Sequence, residues 1–199
     1  MANRPGIVIG LRIADSARRE RPIVATSSQV AGLALAAFYV FAVLYVLILH
    51  PDGKQDVVKD LGADKGGLKM VLGALLVVAL APVAEEFFFR GFFYKALRSR
   101  LSVYVAAAID GLVFGGIHYT GPEVLSLLPI LMVLGFIFCL VLERTGTLFA
   151  VIPLHAINNG ISYASTVHGS AAVSLGLAAA VVAGSALTLR ALPRRLTPV

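Results

Sequence analysis

Polar residues are sparse along this chain and bunch between long apolar runs. Six runs read as spans, at residues 29–50, 68–93, 103–119, 124–142, 147–165 and 171–189. A span needs ~20 mainly apolar residues to cross ~30 Å of hydrocarbon. The pattern therefore predicts an all-α fold, a polytopic transmembrane helix bundle of about six spans. The first run is too long for a signal-peptide core and no small-residue cleavage site follows it, so it reads as a retained span. This divides the chain into a tail at 1–28, a bundle at 29–189 and a second tail at 190–199.

Composition agrees. The chain is 58% hydrophobic and 14% charged, whereas soluble domains sit near ~45–50% and ~25%. Lipid solvates an apolar exterior, so a charged surface is not needed. The formal net charge of +6 comes from basic residues at the ends of apolar runs. Without a basic stripe interleaved with aromatics, that charge speaks for membrane orientation and against nucleic-acid binding. Arg4, Arg12, Arg18, Arg19 and Arg21 precede the first run. Lys95, Arg98 and Arg100 fill the turn after the second, Arg144 follows the fourth, and Arg190, Arg194 and Arg195 follow the last. The 51–67 loop mixes Lys54, Lys59 and Lys65 with Asp52, Asp56, Asp60 and Asp64. Alternate loops are basic, which fits six spans with both termini cytoplasmic. The Ala, Val, Gly and Arg bias points to a high-GC bacterium, hence a bacterial cell membrane. Cys139 is the only cysteine, so an internal disulfide and a paired-cysteine zinc site are excluded.

Ionisable and amide groups inside spans are expensive and mark function. Here they are Glu85, Glu86, Arg90, Asp110, His118, His155, Asn158 and Asn159. Glu86 and Arg90 are four apart and can pair on one helix face. Glu85 points ~100° away and is left for other work. The arginine should hold Glu86 ionised, while crowding and low dielectric leave Glu85 suited to a general base. Pro82 should free a backbone carbonyl beside them. Gly115 and Gly116 allow close helix approach before His118. Glu85 precedes Leu101 by 16 positions and His118 follows Ser102 by 16. In a straight antiparallel hairpin both lie about 24 Å from the turn, at one level. His155 and Asn159 share a face of a later helix. One job for these groups is amide hydrolysis, with Glu85 and His118 polarising a water and His155 and Asn159 donating to the oxyanion. The other is a divalent metal held by Glu85, His118 and His155. No HExxH zinc motif is present.

At these positions the chain resembles the CPBP family of CAAX proteases and bacteriocin-processing enzymes, also called Abi-type. That family carries EExxxR, FxxxH and HxxxN motifs. This chain has Glu85-Glu86 with Arg90, Phe114 with His118, and His155 with Asn159, in that order over residues 80–165. The resemblance implies an intramembrane endopeptidase, a cavity reached from the cytosol and glutamate-type proteolysis. It makes Glu85, His118, His155 and Asn159 catalytic, with Glu86 and Arg90 in support. No cofactor is expected, although the family's metalloprotease label keeps a divalent metal as an alternative. Partners would be membrane lipid and a peptide or protein substrate, and a prenylated one is not expected in a bacterium. Asp110 departs from the pattern, where a small or hydroxyl residue is expected. The competing readings are a non-catalytic membrane immunity or scaffold protein and a small proton-coupled transporter. The latter would favour inverted repeats, and none is visible.

Overall fold

A computed structural model describes residues 27–53 and 57–191. The expected tails lie outside the described residues except at their inner edges, as do Lys54 and Asp56. Every regular element among the described residues is helical. We label seven helices: α1 Ser27–Leu49, α2 Val57–Asp60, α3 Gly67–Arg98, α4 Val103–Gly116, α5 Leu128–Thr145, α6 Leu148–Thr166 and α7 Ala171–Ala191.

Each predicted span coincides with a helix, and the protein is an all-α membrane bundle. Four helices are long and apolar enough to cross a membrane: Ser28–Leu49, Gly67–Arg98, Pro122–Thr145 and Ala171–Ala191. The other two fall short for different reasons. Helix α4 has only 14 residues. Helix α6 has 19 residues but carries His155, Asn158 and Asn159, which lower its hydropathy. Between α1 and α3 lies a feature absent from the six-run pattern. The short α2 and a 3₁₀ turn at Ala63–Lys65 fold back over the bundle, and Ala63 is fully buried.

Short turns fix the chain's reversals. Gly146 takes a left-handed φ of 68° and its N–H closes on the Leu142 carbonyl, which ends α5. Thr147 then caps α6, its hydroxyl accepting from the Phe149 N–H at 3.3 Å. Helices α4 and α5 pack most closely of all neighbours, followed by α6 and α7. Glycine permits the first contact. A Cβ added at Gly111 would come within 2.8 Å of the Phe136 backbone N, and one at Gly115 would lie as close to the Met132 backbone N. Of the two glycines expected to allow close approach, Gly115 does so and Gly116 faces open space. The working pair is therefore Gly111 and Gly115, one turn apart on one face.

Chain reversals give the bundle two ends. The turns at 99–102 and 146–147, the start of α1 and the finish of α7 lie at one end, which carries Lys95, Arg98, Arg100, Arg144 and Arg190. The segments 50–66, 117–127 and 167–170 lie at the other. Two apolar cores follow this division. One gathers Tyr94, Ala107, Phe138, Leu142 and Val151 from α3 to α6 with Phe38 of α1. The second gathers Ala63, Ala74, Val78, Tyr163, Val167 and Ala178. The polar residues singled out above sit between them.

Candidate active site

Helix α3 is not uniformly α. It passes through π turns at Leu75–Leu80 and Phe87–Phe93, on either side of Ala81–Glu86. The Ala81 N–H reaches five residues back to Leu76 O, and the Tyr94 N–H likewise to Phe89 O. Such wide turns recur at functional sites. Continued by one position, the first pattern would aim residue 82 at Val77 O, but Pro82 has no N–H to give. Asn159 of α6 fills that role, its Nδ2 donating to Val77 O at 3.0 Å. A freed carbonyl was expected from Pro82, and the residue that claims it is a predicted site residue.

Glu85 and Glu86 have different surroundings. Glu86 is fully buried and accepts from Arg90 Nη1 at 3.0 Å. Arg90, also fully buried, donates from Nη2 to the Gly135 carbonyl at 2.8 Å and lies 3.5 Å from Asp110 through Nε. Its guanidinium centre stands 4.5 Å from the Phe114 ring centroid and 5.1 Å from that of Phe138. Two aromatic faces and two carboxylates thus hold one planar cation in a dry pocket. Asp110 belongs to this cluster and takes a further contact from Cys139 Sγ at 3.1 Å. Cys139 is a buried free thiol. Glu85 stays outside, with its side chain about a quarter exposed at 27%.

His155 joins the two carboxylates. Its Nδ1 lies 2.8 Å from Glu86 Oε1 and its Nε2 lies 3.7 Å from Glu85 Oε2. Glu86 Oε1 also accepts from Arg90, so a proton on Nδ1 suits the contact to that oxygen. Phe114 and Phe138 wall the ring on two sides, at 5.7 Å and 5.2 Å between centroids. His118 lies just beyond the end of α4 rather than inside a span. Its Nδ1 is 2.8 Å from the Phe114 carbonyl. A carbonyl accepts only, so this contact sets Nδ1–H and leaves Nε2 with a lone pair when the ring is neutral. Asn158 donates to Asn159 Oδ1 at 3.3 Å and accepts from Tyr39 at 3.4 Å. Asn159 keeps one N–H beyond its bond to Val77, because an amide NH₂ carries two.

Glu85, His118, His155 and Asn159 all line one cavity of about 460 Å³. Its remaining wall is mainly apolar and includes Leu61, Leu76, Ile117 and Leu131. That volume lies within the ~300–1,000 Å³ typical of ligand sites. Glu86 and Arg90 do not line it and stand behind it. The cavity reaches Val58, Leu61 and Thr120 at the end opposite the basic turns, and no residue of those turns lines it. Helix α1 begins and α7 finishes at the basic end. The lining residues thus lie towards the end away from the start of α1 and the finish of α7. For a metal, the proposed donors are Glu85, His118 and His155. Among the described residues, no three His, Cys, Asp or Glu side chains are grouped so as to hold an ion.

Sequence reasoning missed Phe138 and the Gly135 carbonyl, which hold Arg90, and Tyr39, which holds Asn158. None carried a signal, being an aromatic, a glycine and a tyrosine in apolar runs. Phe114 was visible as a motif residue, but its placement against Arg90 and His155 was not.

An all-helical membrane bundle with carboxylate, imidazole and amide groups facing one cavity defines a membrane protein with a candidate hydrolytic centre. Residues 67–161 match the family described as Rce1-like, type II CAAX prenyl endopeptidase Rce1-like. That match, over the membrane core, is to a family of membrane-embedded CAAX proteases and agrees with the resemblance that the three motifs carry. No curated protein and no solved structure matches the chain.

Proposed function

We propose that this chain hydrolyses peptide bonds inside the membrane, using a water activated by Glu85 and His118. The observation that carries the reading is the convergence of Glu85, His118, His155 and Asn159 on one cavity from three separate helical stretches. The match to a CAAX protease family supports the same reaction class. In this mechanism Glu85 takes a proton from water, with His118 Nε2 as a second acceptor at the reacting oxygen. Hydroxide adds to the scissile carbonyl carbon. The free N–H of Asn159 donates to the oxyanion, and His155 Nε2 does so as well in the doubly protonated ring, whose second proton is shared between Nε2 and Glu85 Oε2 before substrate binds. Collapse breaks the C–N bond, and the proton held by Glu85 goes to the leaving amine. The products are one carboxylic acid and one amine, and no metal enters any step. Glu86 and Arg90 position His155 and touch no substrate.

Cleavage of membrane-anchored peptides by protein reconstituted in liposomes tests this. Glu85→Ala should lower the rate by about 10²–10⁴-fold, the usual weight of a general base, in a protein that still folds. Unchanged cleavage would reject the assignment of Glu85. Full biological activity in both Glu85→Ala and His155→Ala would favour a non-catalytic immunity or scaffold role.

A further inference from the structure

A second recess lies apart from the cavity of Glu85 and shares no lining residue with it. It is a groove of about 250 Å³ between α1, α4 and α5. Helix α1 lines it with Val30, Ala34 and Ala37, whose spacing of four and three puts them on one face. Two of the three are alanines, so little side chain fills the gap. Val103, Ile137 and Leu140 extend an aliphatic wall. Tyr104, Glu143 and Arg144 supply the polar end. Tyr104 stands in the first turn of α4 and is 66% exposed. Arg144 is exposed in the last turn of α5. Ile137 precedes it by seven residues and lies about 10 Å deeper along that helix. The groove is therefore polar at the helix ends and apolar further in. In a membrane bundle the helix ends meet the headgroups, a level that tyrosine favours.

The two charges in the groove are not equivalent. Glu143 is already engaged, since its Oε1 accepts from Arg98 Nη2 and its Oε2 from the Tyr94 hydroxyl, both at 3.0 Å. Among the described residues no carboxylate pairs with Arg144. The groove thus presents one unpaired guanidinium beside an aliphatic channel. We propose that it binds one anionic glycerophospholipid, with the phosphate on Arg144 and an acyl chain along Ala34, Ala37 and Ile137. A guanidinium matches phosphate in bidentate geometry, and basic pockets between membrane helices take anionic headgroups. A zwitterionic headgroup brings its own cation beside Arg144 and is disfavoured. A free phosphate leaves the aliphatic wall without a partner. The proposal stands independently of the peptidase reading.

Fluorescence quenching tests it without needing turnover. The chain has no tryptophan, so a single introduced one reports without background. Tyr104→Trp places the reporter at the groove and keeps an aromatic with a polar donor there. Leu175→Trp, in a separate protein, places it on an exposed flank of α7. Each protein is reconstituted in phosphatidylcholine that contains either phosphatidylglycerol or phosphatidylcholine with brominated acyl chains, which quench indole. At position 104 phosphatidylglycerol should bind about five-fold more tightly than phosphatidylcholine, the weight of one basic residue at a lipid surface. At position 175 the two should be equal. Arg144→Gln, or Ala37→Phe, which fills the groove from an exposed position, should bring the ratio at position 104 close to one. No preference at position 104, an equal preference at position 175, or a ratio unchanged by either substitution would overturn the proposal. Loss of the preference when inorganic phosphate replaces chloride at equal ionic strength would make a free anion the ligand and overturn the lipid.

Discussion

Glu85 and Glu86 are adjacent in sequence yet belong to two regions built on opposite principles. Behind the cavity, Glu86, Arg90 and Asp110 form a fully buried charge cluster between aromatic rings. In front of it, Glu85, His118 and Asn159 are all partly exposed to the cavity. His155 touches both. The first region turns its charge on itself through the Arg90 ion pairs, although Glu86 Oε2, Arg90 Nε and Asp110 Oδ2 have no hydrogen-bond partner among the described residues. The second keeps polar atoms uncommitted. A membrane interior punishes free polar groups, so the uncommitted set stands only because the committed set fixes it in place. The helix rotation of about 100° between neighbouring residues separates the two roles.

Breaking the buried cluster should have the largest effect. Glu86→Ala leaves Arg90 in a dry site with one carboxylate lost, and removing one partner of a buried pair costs about 3–5 kcal/mol. Thermal unfolding in detergent measures this. Glu85→Ala should change the same transition by less than about 1 kcal/mol, so equal losses for the two neighbours would erase the distinction between regions. Asn159→Ala comes next on activity, since loss of one oxyanion donor costs about 10²–10³ in rate. It also removes the partner of Val77 O, so Asn159→Asp, which keeps an acceptor but not the donor, should be as inactive. Gly111→Val tests the contact that brings α4 against α5, and overpacking there should cost about 1–3 kcal/mol. The smallest effect belongs to the exposed rim. Arg98 and Glu143 pair at 3.0 Å with side chains about one-third exposed, at 31% and 33%. Arg98→Ala should therefore shift the unfolding transition least of these variants, and less still at high salt.

Much of this was legible in residue types. Apolar runs located the helices, because a bilayer demands a minimum length of unbroken hydrophobic chain. The i, i+4 spacing paired Glu86 with Arg90, and Pro82 announced a carbonyl without its donor. What stayed hidden depends on geometry that residue types do not encode. The π turns of α3 shift its register without any distinctive residue, so the bond from Asn159 to Val77 could not be placed. Asp110 read as an anomaly because its partner Arg90 sits on another helix. Counting residues put Glu85 and His118 at one depth, but depth alone says nothing about which end of the bundle the cavity reaches.

The shortness of α4 has a consequence for the surrounding lipid. Fourteen residues rise about 21 Å, against ~30 Å of hydrocarbon. Its neighbour α3, at 32 residues, rises about 48 Å if untilted. No single slab thickness matches both, so the bilayer must thin beside α4 or polar solvent must descend to its end. His118 sits at that end. Hydrophobic mismatch would then be the means by which a reaction that consumes water is supplied with it inside a membrane.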